Sequence, residues 1–209
     1  MTVLLPAGTL PAQGLGLSGL AEITVRDAGG VIKGQQSVSN SLTEQVRVNL
    51  MNKITGGGSY SSLVVPTRII CLLDNMRYTS IASIDGNHST TGVVNGNQVI
   101  TSFTVSGLTV SGNWSGSASL ATVYLLSAAS VVGTASGAEI DPNLVVDDND
   151  TVDITYKIIL TRPTSDVSDT FLIRLGNLLR GVNQNVAIER ASLYNGATHL
   201  QQSIISLPS

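Results

Sequence analysis

Thr151-Val-Asp-Ile-Thr-Tyr-Lys-Ile-Ile-Leu-Thr161 decides the fold. Val152, Ile154, Tyr156, Ile158 and Leu160 fall on every second position, and Asp153, Thr155 and Lys157 take the other face. That is the alternation of a half-buried antiparallel strand. Ile159 is the one apolar break in it. The turn-formers Asp147-Asp148-Asn149-Asp150 bound the run on one side and Arg162-Pro163 on the other.

Before this strand, Ala21–Asp27 alternates, turns at Ala28-Gly29-Gly30 and returns through Val31–Lys33, which predicts a hairpin. Ser41-Leu-Thr-Glu44 has capping-box spacing, and Leu42, Val46, Leu50 and Ile54 follow on one helical face until Gly56-Gly57-Gly58. Thr67–Leu73 reads as a central apolar strand, and 74–97 as a long polar connection. Strands are expected at Gln98–Val105, Leu108–Val110 and Leu120–Leu126, with Ser106-Gly107 as a turn, and a short one at Leu144–Val146. After Pro163, Phe171, Leu172, Leu175, Leu178 and Leu179 sit at helical spacing behind a cap at Ser168 or Asp166. A strand at Val186–Tyr194 follows, and the chain finishes in Leu200–Leu207, where Ile204 and Ile205 call for burial.

The fold expected is mainly β: an antiparallel β-sandwich or jelly-roll-like domain with one or two short helices and an extended N-terminal arm. Residues 1–20 carry no charge and set leucines between Gly and Pro without a period, so they read as that arm. Residues 21–161 form the main domain, and 162–209 a helix-plus-strand extension packed on it or on a neighbouring subunit. A free tail is normally polar. Leu4, Leu5, Leu10, Leu15, Leu17 and Leu20 in the arm, with Ile204 and Ile205 near the other end, are therefore the candidates for contact between subunits.

Charged residues are only 12% of the 209, against roughly 25% in an average domain. Mean hydropathy is +0.26. No stretch approaches the ~20 apolar residues of a membrane span, so no membrane partner is expected. The remaining explanations are a surface covered by neighbours or a neutral Ser/Thr/Asn/Gly surface. A net charge of −3 argues against a phosphate backbone, so nucleic acid is not an expected partner. Met1-Thr-Val-Leu-Leu-Pro-Ala-Gly has no basic region ahead of an apolar core, so a cytoplasmic site of synthesis is expected.

Nothing in the chain assembles a catalytic set, and neither an enzyme nor a cofactor is expected. His88 and His199 lack a second ligand at helix or strand spacing. Gly112-Asn-Trp-Ser-Gly116 places Trp114, not Ser, at the elbow position. Cys71 lies in an apolar run, where a buried, inert thiol is the expectation. The glycines at 56–58 and 112–116 precede no Lys-Ser/Thr helix, so no phosphate cradle is read there. Asp147, Asp148 and Asp150 invite a calcium reading but lack the Asp-x-Asp-x-Asp-Gly spacing, and turn chemistry explains them. Trp114 could stack on a sugar, but aromatics are 4% of the chain.

The order of elements carries more than any residue. Asp27-Ala-Gly-Gly30 leads to Asn40-Ser-Leu-Thr43, a short helix and an apolar strand, and a Gly/Ser/Thr-rich meander leads to Asp150-Thr-Val-Asp-Ile-Thr-Tyr-Lys-Ile-Ile-Leu160. This resembles the small β-rich structural proteins, decoration, cement or tail-associated, of tailed bacteriophage virions, over about residues 21–161. The resemblance implies a non-enzymatic virion protein made in the host bacterial cytoplasm. Such a protein would be a capsid decoration or cement protein, with the major capsid protein, other virion subunits and itself as a homo-oligomer for partners. A tail, neck, baseplate or fibre component is the alternative, and a secreted carbohydrate-binding module the reading from a different class.

Overall fold

The computed structural model describes residues 16–44, 46, 48, 50, 65–84, 86–110, 114–127, 131–136, 140–162, 168–182, 190–195 and 198–204. The quoted strand is β10, Thr151–Thr161, and its inward side chains are all buried while Asp153 to Ile159 on the other face are half-exposed. It lies between β1, Gly16–Arg26, and β6, Gln98–Leu108, antiparallel to both. β2, Ile32–Leu42, pairs with β1 along Ile32–Asn40 and then with β8, Val131–Ser136, through Ser41 and Leu42.

β2 is therefore the corner at which one sheet turns over onto itself. β8 continues to β7, Ser117–Leu126, then to β3, Arg68–Leu73, and β4, Ala82–Ser83; β9, Val145–Asp147, sits on the free stretch of β7. The other end of the sheet is β5, His88–Thr90, on β6. The result is a curled, half-barrel sheet whose two halves face each other over one core, in which Tyr156, Phe103, Ile23, Ile69, Leu120 and Leu125 are the large side chains. Burying each contributes roughly 1.5–3 kcal/mol before entropy is counted. A second sheet of two strands, β11 (Arg190–Asn195) and β12 (Thr198–Ile204), is separate from the first.

Several expectations shift. The segment 74–97 is not a simple loop, because it carries β4 and β5, which cap the two opposite ends of the sheet and are separated by Ile84–Asn87. Strands of two and three residues are too short to leave an alternation in the sequence, and short edges leave few unpaired backbone groups for another chain to join. The turn read at Ser106-Gly107 is a bulge inside the single strand β6. Gly107 takes φ +71, its N–H donates to Asp153 Oδ1 at 2.9 Å, and the register slips opposite Val152–Ile154. Ser41 lies within β2, which runs on to Leu42. Helix begins by Glu44, and Thr43 stays behind through its amide and hydroxyl, both donating to Val132 O. The predicted stripe is still inward at Leu42, Val46 and Leu50.

The arm boundary also moves. Residues 16–20 belong to β1, where Gly19 leaves room for the Asn40 carboxamide; a β-carbon there would stand 1.6 Å from Asn40 Oδ1. The second helix runs Asp169–Leu179, capped by Ser168, whose Oγ accepts from the Phe171 amide. Leu172, Leu175, Leu178 and Leu179 face the core, and Gly176 O accepts a 3.0 Å bond from the Thr101 hydroxyl of β6. The helix thus packs on the main domain.

Candidate functional site

The acidic turn is organised by a lysine. Lys33, one residue past the exposed Ile32, sets its ammonium 2.5 Å from Asp147 and against Asp150, whose side chain is almost wholly buried. Asp147 also accepts from the Ser117 hydroxyl, and Asp150 from the Asp147 amide at 2.7 Å. The ammonium stands where a calcium ion would bring together these oxygens, so this turn is an electrostatic clasp between β2 and the β9–β10 connection. Its hydrogen bonds to Lys33 and Ser117 hold the Asp147 carboxyl below the usual carboxylate range. Burial pulls the Lys33 ammonium down, but bonds and charge from Asp147 and Asp150 together leave it above the usual lysine value.

The other sequence candidates lie apart. His88 is on β5, with Nδ1 3.4 Å from Arg180 Nη1 at the end of the helix, and Arg180 Nε donates to Asn177 Oδ1 at 3.0 Å. His199 is on β12, paired by backbone with Tyr194. Cys71 is fully buried in β3, and desolvation, opposed by a bond with Thr79, pushes its thiol up to about 12. Trp114 packs against the core instead of standing out as a platform.

The outer face of β2, β1 and β10 holds an open depression of about 380 Å³ lined by Glu22, Thr24, Gln35, Ser37, Asp153 and Thr155. Most of its polar groups bond to one another or to their neighbours. Arg26 Nε donates to Asp153 at 2.8 Å, Lys157 pairs with Glu22, and Gln35 donates to Thr24 at 3.0 Å. A floor satisfied in this way offers little to a small ligand.

Of the contact candidates, Leu17 packs partly on the core and Leu20 is half-buried on the outer face of β1. Ile204 lies in β12 opposite Arg190, and Leu4, Leu5, Leu10, Leu15 and Ile205 lie outside the described residues. The structure brings together a different set. Strand directions place the β1–β2 turn, the Leu73–Arg77 turn, the β6 bulge and the Asp147–Asp150 clasp at one rim of the curled sheet. Gly16 leaves from the opposite rim, beside Thr161 and Gln98.

On the first rim Val31 is 65% exposed, Ile32 46%, Met76 73% and Tyr78 43%. Met76 closes a turn in which its amide donates to Leu73 O at 3.0 Å and Leu73 N donates to Arg77 O at 2.8 Å. It sits at φ 64, a left-handed conformation that glycine or asparagine adopts at less cost. A period-based reading passes over such residues, since turns have no period; the signal was an unbranched apolar residue directly after Asp74-Asn75. The chain matches no family model, no curated protein and no solved structure.

Proposed function

We propose that this chain is a non-enzymatic structural subunit of a tailed-phage virion, acting as a capsid decoration or cement protein through contacts with neighbouring subunits. The observation that carries this reading is a charge-poor chain that leaves large apolar side chains in solvent, Val31, Ile32, Met76 and Tyr78 on one rim and Val48, Ile81 and Val131 elsewhere, while the edges of its main sheet are reduced to strands of two and three residues. Large apolar side chains kept in solvent mark contact surfaces, and short edges keep such contacts from running on as uncontrolled strand pairing. The resemblance of Asp27–Gly30, Asn40–Thr43 and Asp150–Leu160 to virion β proteins supplies the particle.

The test is to delete the coding sequence from a phage genome that carries it and to purify the particles. Wild-type particles should contain the chain in a copy number that matches a capsid lattice, and particles without it should release DNA at a lower temperature. Labelling on the tail or neck would move the protein to the alternative position. Its absence from purified wild-type particles would refute a virion role.

A further inference from the structure

We infer that two copies of this chain associate through β12, which adds edge to edge to the β12 of the second copy and joins two hairpins into one four-stranded sheet in the order β11-β12-β12-β11; this rests on the subunit-contact reading above and deepens it. Three observations converge. Among the described strands, β11 and β12 pair only with each other. A lone two-stranded hairpin is marginally stable in water, and three or more strands are needed to hold one. The hairpin is therefore an incomplete sheet.

The edges of the chain differ in kind. The main sheet ends in β4, of two residues, and β5, of three, too short to take up a strand of seven. β12 runs Thr198-His-Leu-Gln-Gln-Ser-Ile204 without Lys, Arg, Asp, Glu or Pro, the residues that close an edge to other chains. β11 does carry such a charge, Arg190, so β12 is the open side of the hairpin. Ile204, one of the contact candidates in the sequence, lies in it.

The register supports the same strand. Beyond the irregularity at Leu193/Tyr194, the pairs from Leu193↔Gln201 to Arg190↔Ile204 follow without a break, which keeps Gln201–Ile204 in regular strand geometry. The occupant that fits this edge is a second copy of it. Two identical strands placed antiparallel about a two-fold axis are self-complementary, so the backbone groups that β12 leaves open are those a second β12 requires, and no like charge meets across the axis. A two-fold contact uses up both open edges, so association stops at two copies; addition of β12 to β11 would run on as a stack, and Arg190 stands on the edge that such a stack needs.

The test is made on the full chain. Sedimentation of the unmodified protein should show one copy in equilibrium with two and nothing larger. Gln201→Lys with Gln202→Lys sets like charges across the axis and should weaken that equilibrium about tenfold, with the melting temperature of the main sheet unchanged. Mixed with a Gln201→Glu/Gln202→Glu chain, the lysine variant should return to a two-copy species that contains one of each. Ser192→Lys, on β11, should leave the equilibrium as it is in the parent. A parent that stays at one copy at every concentration would overturn the inference, as would growth past two copies, a lysine and glutamate mixture that does not pair, or a loss from Ser192→Lys as large as that from the glutamine pair. Because the purified chain is read without any particle, a failure here leaves the virion test standing, and a failure there leaves this result standing.

Discussion

The Tyr156 hydroxyl lies over the backbone of Gly133, 2.1 Å from where a β-carbon would stand, so β10 and β8 meet across the core through the largest buried side chain and a residue without one. Among the described residues that hydroxyl has no hydrogen-bond partner. Gly133→Ala should cost about 1–3 kcal/mol, the usual penalty of overpacking, read from urea midpoints. Tyr156→Phe should be neutral or stabilising, since it removes a buried polar atom with nothing to bond, and it should recover part of the Gly133→Ala loss. A Gly133→Ala chain as stable as the parent would show that the two strands do not meet this closely.

Lys33→Met strands Asp150, which is 4% exposed, without its cation. The loss at neutral pH should be about 2 kcal/mol, less than the ~3–5 of a fully buried pair because the Lys33 side chain keeps 28% of its surface in water. The pH dependence has two signs. Asp147 has a lowered folded value, so its contribution is present above the ordinary 3.8 and is lost as pH falls through the lower folded value. Lys33 has a raised one, so its contribution is complete below 10.5 and is lost as pH rises through the higher folded value. The gap between parent and Lys33→Met in urea should therefore narrow on both sides of neutrality. A gap as wide at pH 3 as at pH 7 would dismiss the clasp.

Gly176 sits where the helix touches β5 and β6; an added β-carbon would come within 2.7 Å of Thr90 and 2.8 Å of Val99. Alanine gains about 1 kcal/mol of helix propensity and loses about 1–3 to overpacking, so Gly176→Ala should be net destabilising by about 1 kcal/mol. Thr101→Val should cost a similar amount by leaving Gly176 O without its donor. Hydrogen exchange should show the helix amides losing protection before those of β1 and β10.

Met76→Asn replaces an apolar residue at φ 64 with one that accepts that conformation. A gain of about 0.5 kcal/mol in the unfolding free energy of the single chain is expected. Asparagine that lowers stability would mean that Met76 is packed in its own chain and is not available to a neighbour.

Alternation made β10 legible without help, and Ile159 was the only residue to blur it because the outer face tolerates a half-exposed apolar side chain. The strand β8, Val131-Val-Gly-Thr-Ala-Ser136, left no such signal: its contribution is the missing side chain of Gly133, and an absent group has no hydropathy. The arm was drawn five residues too long for a related reason, since Gly16-Leu-Ser-Gly-Leu20 looks like a breaker-rich loop until Asn40 is seen lying over Gly19. Lys33 as partner to Asp147 and Asp150 was invisible at a separation of more than a hundred residues. The rim was missed because exposure at turns follows from where strands end, which only the register shows.

The position of β10 between β1 and β6 also sets a timetable. β1 and β2 can close as a hairpin as soon as both have left the ribosome, but the far side of β1 then displays eleven residues of unpaired backbone until residue 161 has been made. At about 5–20 residues per second that interval lasts several seconds, far longer than a hairpin needs to form. During it the nascent chain offers the open edge to any other strand nearby, including β1 of a second nascent copy on the same message. Yield in the cell should therefore depend on how closely ribosomes follow one another, a burden that the finished main sheet, with both edges trimmed to a few residues, no longer carries.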